Sequence, residues 1–178
     1  VSGVNNPCPG GYRIPTAAEW ETERRSLGTE DSDGAFASPL KLPVTGRRSN
    51  GSGDPFSVGS RGYYWSSSVS GSSARSLFFK SSDAYMLNSN RAWGYAVRCI
   101  KDLHPLSYPV NYKTCFENGD TTDIVDVINP QTGETWMDRN LGASQVADSS
   151  SDANSYGDLY QWGRFADGHQ CRGSDTTS

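Results

Sequence analysis

Apolar residues in this chain fall in short runs separated by Gly, Pro, Ser, Asn and Asp, and a helical period is legible in two places. In the first, Thr16-Ala-Ala-Glu19 is a capping box. Trp20, Arg24 and Leu27 follow on one face at i, i+4 and i+7, and Gly28 supplies a stop, so the spacing predicts a helix over 17–27. In the second, Tyr156, Leu159, Tyr160 and Gly163 share a face and predict a short helix over 156–164. Strand-like runs rich in aromatic and β-branched residues occupy 62–67, 74–80 and 95–100. A fourth, 84–88, can pair with the second through the Ser81-Ser82-Asp83 turn, which predicts an antiparallel meander. Residues 123–128 and 134–138 flank Asn129-Pro-Gln-Thr-Gly133 and predict a hairpin. Between the first helix and the meander, 28–54 reads mostly as loop with one short strand near 39–44. Residues 103–121 carry Pro105 and Pro109 with no clear period and read as a tether or donor arm, in which Val110–Thr114 has the character of an edge strand. A polar loop is expected at 149–155 and fraying over 173–178.

Composition agrees with this pattern. Hydrophobic residues make up only 34% of the 178, but aromatics reach 11%, so the core must be built from a few large rings. Nineteen glycines and nine prolines demand many turns. The class is α+β: a short twisted antiparallel sheet, one or two short helices and long loops. Net charge is −4 with both signs interspersed, which argues against a nucleic-acid partner. No run approaches the roughly 18–20 apolar residues of a membrane span, and no leader pattern is legible, so the chain reads as mature or as a fragment. Cys8, Cys99, Cys115 and Cys171 match neither a CxxC nor a zinc spacing, and only His104 and His169 could assist a metal. An even count in a Ser/Gly/Asn-rich chain favours disulfides and an extracellular or cell-surface location, with four buried thiols as the alternative.

Several separate blocks resemble one family. Cys8-Pro-Gly-Gly-Tyr-Arg-Ile-Pro-Thr-Ala-Ala-Glu-Trp20, Gly62-Tyr-Tyr-Trp-Ser-Ser-Ser68 and Val97-Arg-Cys-Ile-Lys-Asp102 resemble the Fibrobacter succinogenes major paralogous domain family. So do Thr135-Trp-Met-Asp-Arg-Asn-Leu-Gly142 and Tyr156-Gly-Asp-Leu-Tyr-Gln-Trp-Gly-Arg164. The resemblance implies a fold similar to C-type lectins and formylglycine-generating enzymes, and secretion or surface attachment. The blocks stand here in permuted order, since the Trp-Met-Asp-Arg block ordinarily comes first. Residues 1–102 therefore correspond to the C-terminal half of a module, 103–121 to a tether, and 122–178 to the N-terminal half of the same or the next module. Cys8 and Cys99 border the first of these halves and are expected to pair; Cys115 with Cys171 follows by elimination.

Candidate chemistry is sparse. No Gly-x-Ser-x-Gly elbow exists, Ser66–Ser68 and Ser149–Ser151 are compositional, and nothing matches the paired cysteines of the formylglycine generators. His169 is expected to make a structural hydrogen bond, His104 to be solvated, and Asp138 with Arg139 to form a buried ion pair. Asp31-Ser-Asp33-Gly34 and Asp152-Ala-Asn154 have alternating oxygen ligands but lack the acidic twelfth residue of an EF-hand, so no metal and no cofactor is expected. The aromatic ladder Tyr63, Tyr64, Trp65, Phe78, Phe79, Tyr85, Trp93 and Tyr95 should alternate between core and surface, with Tyr64, Phe79 and Trp93 as candidates for stacking on glycan rings. Asn50-Gly-Ser52 fits an N-glycosylation sequon, and Thr121 and Thr176 lie in Asp-Thr-Thr sequences that resemble bacterial O-glycosylation sites. The expected function is a non-enzymatic structural subunit whose half-modules complete one another, with copies of itself as partner. The open arrangement, each chain completing the next, is favoured over closure within one chain. A carbohydrate-binding surface adhesin is the alternative.

Overall fold

The computed structural model describes residues 5–103, 114–115 and 122–174. Among these the elements are β1 (Tyr12–Arg13), α1 (Ala17–Arg25), α2 (Ser32–Ala37), β2 (Arg47–Arg48), β3 (Pro55–Phe56), β4 (Arg61–Ser70) and β5 (Ser73–Lys80). There follow β6 (Asp83–Asn90), β7 (Gly94–Tyr95), β8 (Ile100–Lys101), β9 (Asp126–Ile128), β10 (Thr135–Met137), a 3₁₀ turn (Ala153–Ser155) and β11 (Tyr160–Gln161). The chain is α+β, and all pairings between these strands are antiparallel. They form three sheets, ordered β1-β8-β10-β9, β11-β7-β2-β3 and β4-β5-β6.

Local chemistry starts α1 where the capping box puts it. Glu19 N–H donates to Thr16 Oγ1 at 3.2 Å, and Thr16 N–H donates to the Glu19 carboxylate at 2.6 Å. The helix ends at Arg25, short of the expected 27. Ser26 takes the C-cap in a right-handed conformation, its N–H bonded to the carbonyls of Thr22 and Glu23, and Gly28 is not left-handed. Its buried face carries Trp20, Glu23 and, beyond the last turn, Leu27, while Arg24 lies at the rim against Glu21.

Residues 28–54 hold more structure than the sequence suggested. Asp31 accepts the N–H groups of Asp33 and Gly34 at 3.0 and 2.9 Å and so starts α2. No strand forms over 39–44, where Pro39 and Pro43 lack the N–H a ladder needs, although Leu40, Leu42 and Val44 are buried. The meander forms as expected from β4, β5 and β6, with Lys80 opposite Asp83 across the Ser81-Ser82 turn. The run 95–100 is not part of it. Its Tyr95 end pairs with β11, Ala96 makes a parallel bridge to Tyr64, and Ile100 lies between Arg13 and Trp136.

Two cores flank the meander. One gathers Tyr63, Trp65, Phe78, Tyr95, Met137, Leu141 and Tyr160; the other gathers Trp20, Leu42, Tyr64, Leu77, Phe79, Ile100 and Trp136. With both faces covered, the aromatic ladder cannot alternate between core and water. Tyr64 and Phe79 are fully buried, which corrects their placement as glycan-stacking candidates. Trp93 is half-buried, with the Arg47 guanidinium 3.9 Å from its ring centre. Tyr85, 43% exposed, is the ladder residue that does reach the surface.

The expected hairpin is present as β9 and β10, with Gly133 N–H donating to Asn129 O at 2.8 Å. The helix expected over 156–164 is absent: that stretch runs without regular structure into β11, and a turn at 162–163 follows. Gly157 has φ +67°, and a Cβ there would lie 2.3 Å from Leu141 O, so packing against the preceding loop overrides the apolar period.

Candidate functional site

The site of interest is the joint between the two halves, 5–102 and 122–174. Within the single chain they pair with each other. The described ends of the intervening segment, Leu103, Thr114–Cys115 and Thr122, do not define a tether; the expectation of a tether or edge strand over 103–121 otherwise falls outside the described residues, as do His104, Thr121 and Thr176.

Two of the three sheets are composite. Trp136 of β10 pairs with Ile100 of β8, and Tyr160 of β11 pairs with Tyr95 of β7. Further backbone bonds run from Met137 N–H to Cys99 O at 2.9 Å and from Leu141 N–H to Val97 O at 3.0 Å. Rings add to the ladder: Trp136 packs on Trp20 with centroids 4.8 Å apart. Trp20 also packs on Tyr64, and its indole N–H donates to the Trp65 carbonyl at 3.0 Å. Indole donors also cross the joint, Trp65 Nε1 to Tyr160 O at 2.7 Å and Trp162 Nε1 to Ser66 O at 2.8 Å.

Arg98, 1% exposed, is the joint's central polar group. Its Nε donates to Asn140 Oδ1 at 2.9 Å, and its Nη1 donates to the carbonyls of Leu40, Met137 and Asp138 at 2.7, 3.2 and 3.1 Å. All but Leu40 belong to the second half. Burial pushes its pKa down to about 10, which still leaves a cation at neutral pH. Separating the halves would strip this guanidinium of most of its acceptors. A second buried pairing joins Asn129 Nδ2 to Glu23 Oε1 and Oε2 at 2.8 and 2.9 Å, and burial pushes the Glu23 carboxyl up. Arg48 reaches the carbonyls of His169 and Cys171, and Arg172 reaches Thr45 O at 3.0 Å.

Both expected disulfides are present, Cys8–Cys99 and Cys115–Cys171. Each closes within one side: the first within 5–102, the second between 171 and the residue from which the chain continues into the second half. Neither crosses the joint. Asp138 and Arg139 form the expected ion pair, at 2.8 and 3.0 Å and largely buried. His169 Nδ1 meets Asp167 Oδ1 at 2.7 Å and its Nε2 accepts Gln161 N–H at 3.2 Å, the structural role expected. The Asp31 and Asp152 oxygens are engaged as caps, and no group of three or more His, Cys, Asp or Glu side chains could hold a metal among the described residues. Asn50 is exposed on the turn between β2 and β3.

Asp158 lies deep in a cleft of about 680 Å³ beside Cys115 and Cys171. Its Oδ2 accepts Cys115 N–H at 3.1 Å and the Tyr160 hydroxyl at 3.4 Å. Gly142, at φ +79°, leaves the room it needs, since a Cβ there would fall 2.3 Å from Asp158 Cγ. Burial pushes the carboxyl up to about 7 from an ordinary 3.8, against the hydrogen bonds and the Arg172 and Arg48 charges. The folded state thus holds this proton more tightly than the unfolded chain. The stability it contributes is complete below about pH 4 and is lost as pH rises through about 7. Asp158→Asn should therefore gain stability relative to the parent at pH 8 compared with pH 4, read from urea midpoints at both. A difference independent of pH would contradict this.

Sequence reasoning missed Arg98, Glu23 with Asn129, Arg48 and Arg172 as joint residues. One signal was available: Arg98 interrupts the apolar run Tyr95-Ala-Val-Arg-Cys-Ile100, where a charge must be buried. No protein-family model, curated protein or solved structure matches this chain. Among the described residues no helix is long and apolar enough to cross a membrane.

Proposed function

We propose that this chain is a non-enzymatic extracellular structural protein, a repeating subunit that assembles head-to-tail by exchanging its complementary halves between copies. The observation that carries this reading is that the joint is extensive yet wholly non-covalent, since both disulfides close on one side of it. Every contact made by 122–174 of one chain on its own 5–102 can be made on the 5–102 of another. Exchange that closes gives a dimer; exchange that runs on gives a filament. The segment that must stretch between the halves is 103–114, because Cys115 is bonded to Cys171. Twelve extended residues reach roughly 40 Å, enough to leave one subunit for the next.

In this reading the permuted blocks make the chain a relative of the Fibrobacter succinogenes major paralogous domain family, with a C-type-lectin-like fold. What supports it is that the blocks containing Trp20, Trp65, Arg98, Trp136 and Tyr160 all meet at the joint. Secretion is supported by the two disulfides. Glycan binding through Tyr64, Phe79 and Trp93 is the weaker reading, since the first two are buried and Arg47 covers the third.

Light scattering after refolding at high protein concentration tests the proposal. Dimers and larger species of native secondary structure are expected, their proportion rising with concentration at refolding. A strictly monomeric product at every concentration would contradict it.

A further inference from the structure

The two disulfides differ in surroundings. Cys8 and Cys99 are both 0% exposed, whereas Cys115 and Cys171 are half-buried and line the open cleft of about 680 Å³ that also holds Asp158, Asn154 and Arg172. A thiol needs access to a sulfur along the S–S axis, and buried sulfurs are protected from exchange.

We propose that Cys115–Cys171 is a site of thiol–disulfide exchange for small thiols. The incoming thiolate forms a new S–S bond to one of the two sulfurs while the Cys115–Cys171 bond breaks, and the electron pair goes to the other sulfur, which takes a proton from solvent. The products are a mixed disulfide on one cysteine and a free thiol on the other. The exchange stands apart from the assembly reading; only its consequence rests on that reading. Opening this bond releases Cys115 from the second half, so the connector between halves grows from 103–114 toward 103–121.

Reduced glutathione added to the folded full-length chain at neutral pH, with an iodoacetamide quench and peptide mapping over time, tests this. Cys115–Cys171 should open at least about tenfold faster than Cys8–Cys99, with glutathione and the alkyl group found on Cys115 and Cys171 while Cys8 and Cys99 stay joined. Equal opening of the two disulfides, or faster opening of Cys8–Cys99, overturns the proposal. Because the readout is a peptide map, it gives the same answer whether or not the chains exchange halves, and light scattering on the same sample reports assembly separately.

Discussion

Trp20→Ala is expected to lower the unfolding free energy by roughly 3–5 kcal/mol, much of the stability available to a domain of this size. Trp20 is fully buried and is the largest apolar group that α1 offers, since the other buried residue within that helix is Glu23. Its removal opens a cavity bounded by Tyr64 and Trp136 and orphans the Trp65 carbonyl. Because Trp136 comes from the other half, the same change loosens the joint. Urea denaturation measures it, and a loss below about 1 kcal/mol would show that α1 is held by something other than this contact.

Arg98→Leu is expected to cost at least about 3 kcal/mol, although it removes a desolvated cation. The gain from no longer burying a charge is offset by the acceptors left behind. The carbonyls of Leu40, Met137 and Asp138 and the side-chain oxygen of Asn140 all lose their donor inside a closed core. Arg98→Lys should recover less than half of the loss, because an ammonium group cannot reproduce the planar fork that serves several oxygens at once. Thermal unfolding of the three proteins distinguishes the outcomes. A stable leucine variant would mean that Arg98 is tolerated at the joint and does not hold it.

What could be read from the sequence was what neighbouring residues decide among themselves. The capping box at Thr16 and Glu19, the Ser81-Ser82 turn and the Asn129–Gly133 turn are local, and all three are in place. The disulfide pairing was also legible, because Cys8 and Cys99 border the first half and the other two cysteines then pair by elimination. Partner choice was not. The run 95–100 has the pattern of a meander strand, yet its ends serve two different sheets because the second half arrives to pair with both. The exposed face assigned to Tyr64 and Phe79 failed for the same reason: α1 and Trp136 cover the face that alternation leaves for water. The period over 156–164 is genuine, but Gly157 and the close approach of Leu141 decide the backbone there. Of the joint, the sequence showed only that large aromatic rings must build the core, while Arg48, Arg98 and Arg172 work through carbonyl oxygens that no side-chain pattern reveals.

The central claim is that the joint made within one chain can equally be made between chains. Two full-length variants test it together, Trp136→Arg, which spoils the second half, and Trp20→Arg, which spoils the first. Neither can close its own joint, and each alone should lack native near-ultraviolet circular dichroism. Mixed in equal amounts, the intact first half of one meets the intact second half of the other. The expected result is a one-to-one heterodimer in native mass spectrometry, with the aromatic dichroism of one restored joint. A mixture whose spectrum is the sum of its parts, with no heterodimer, would contradict the account.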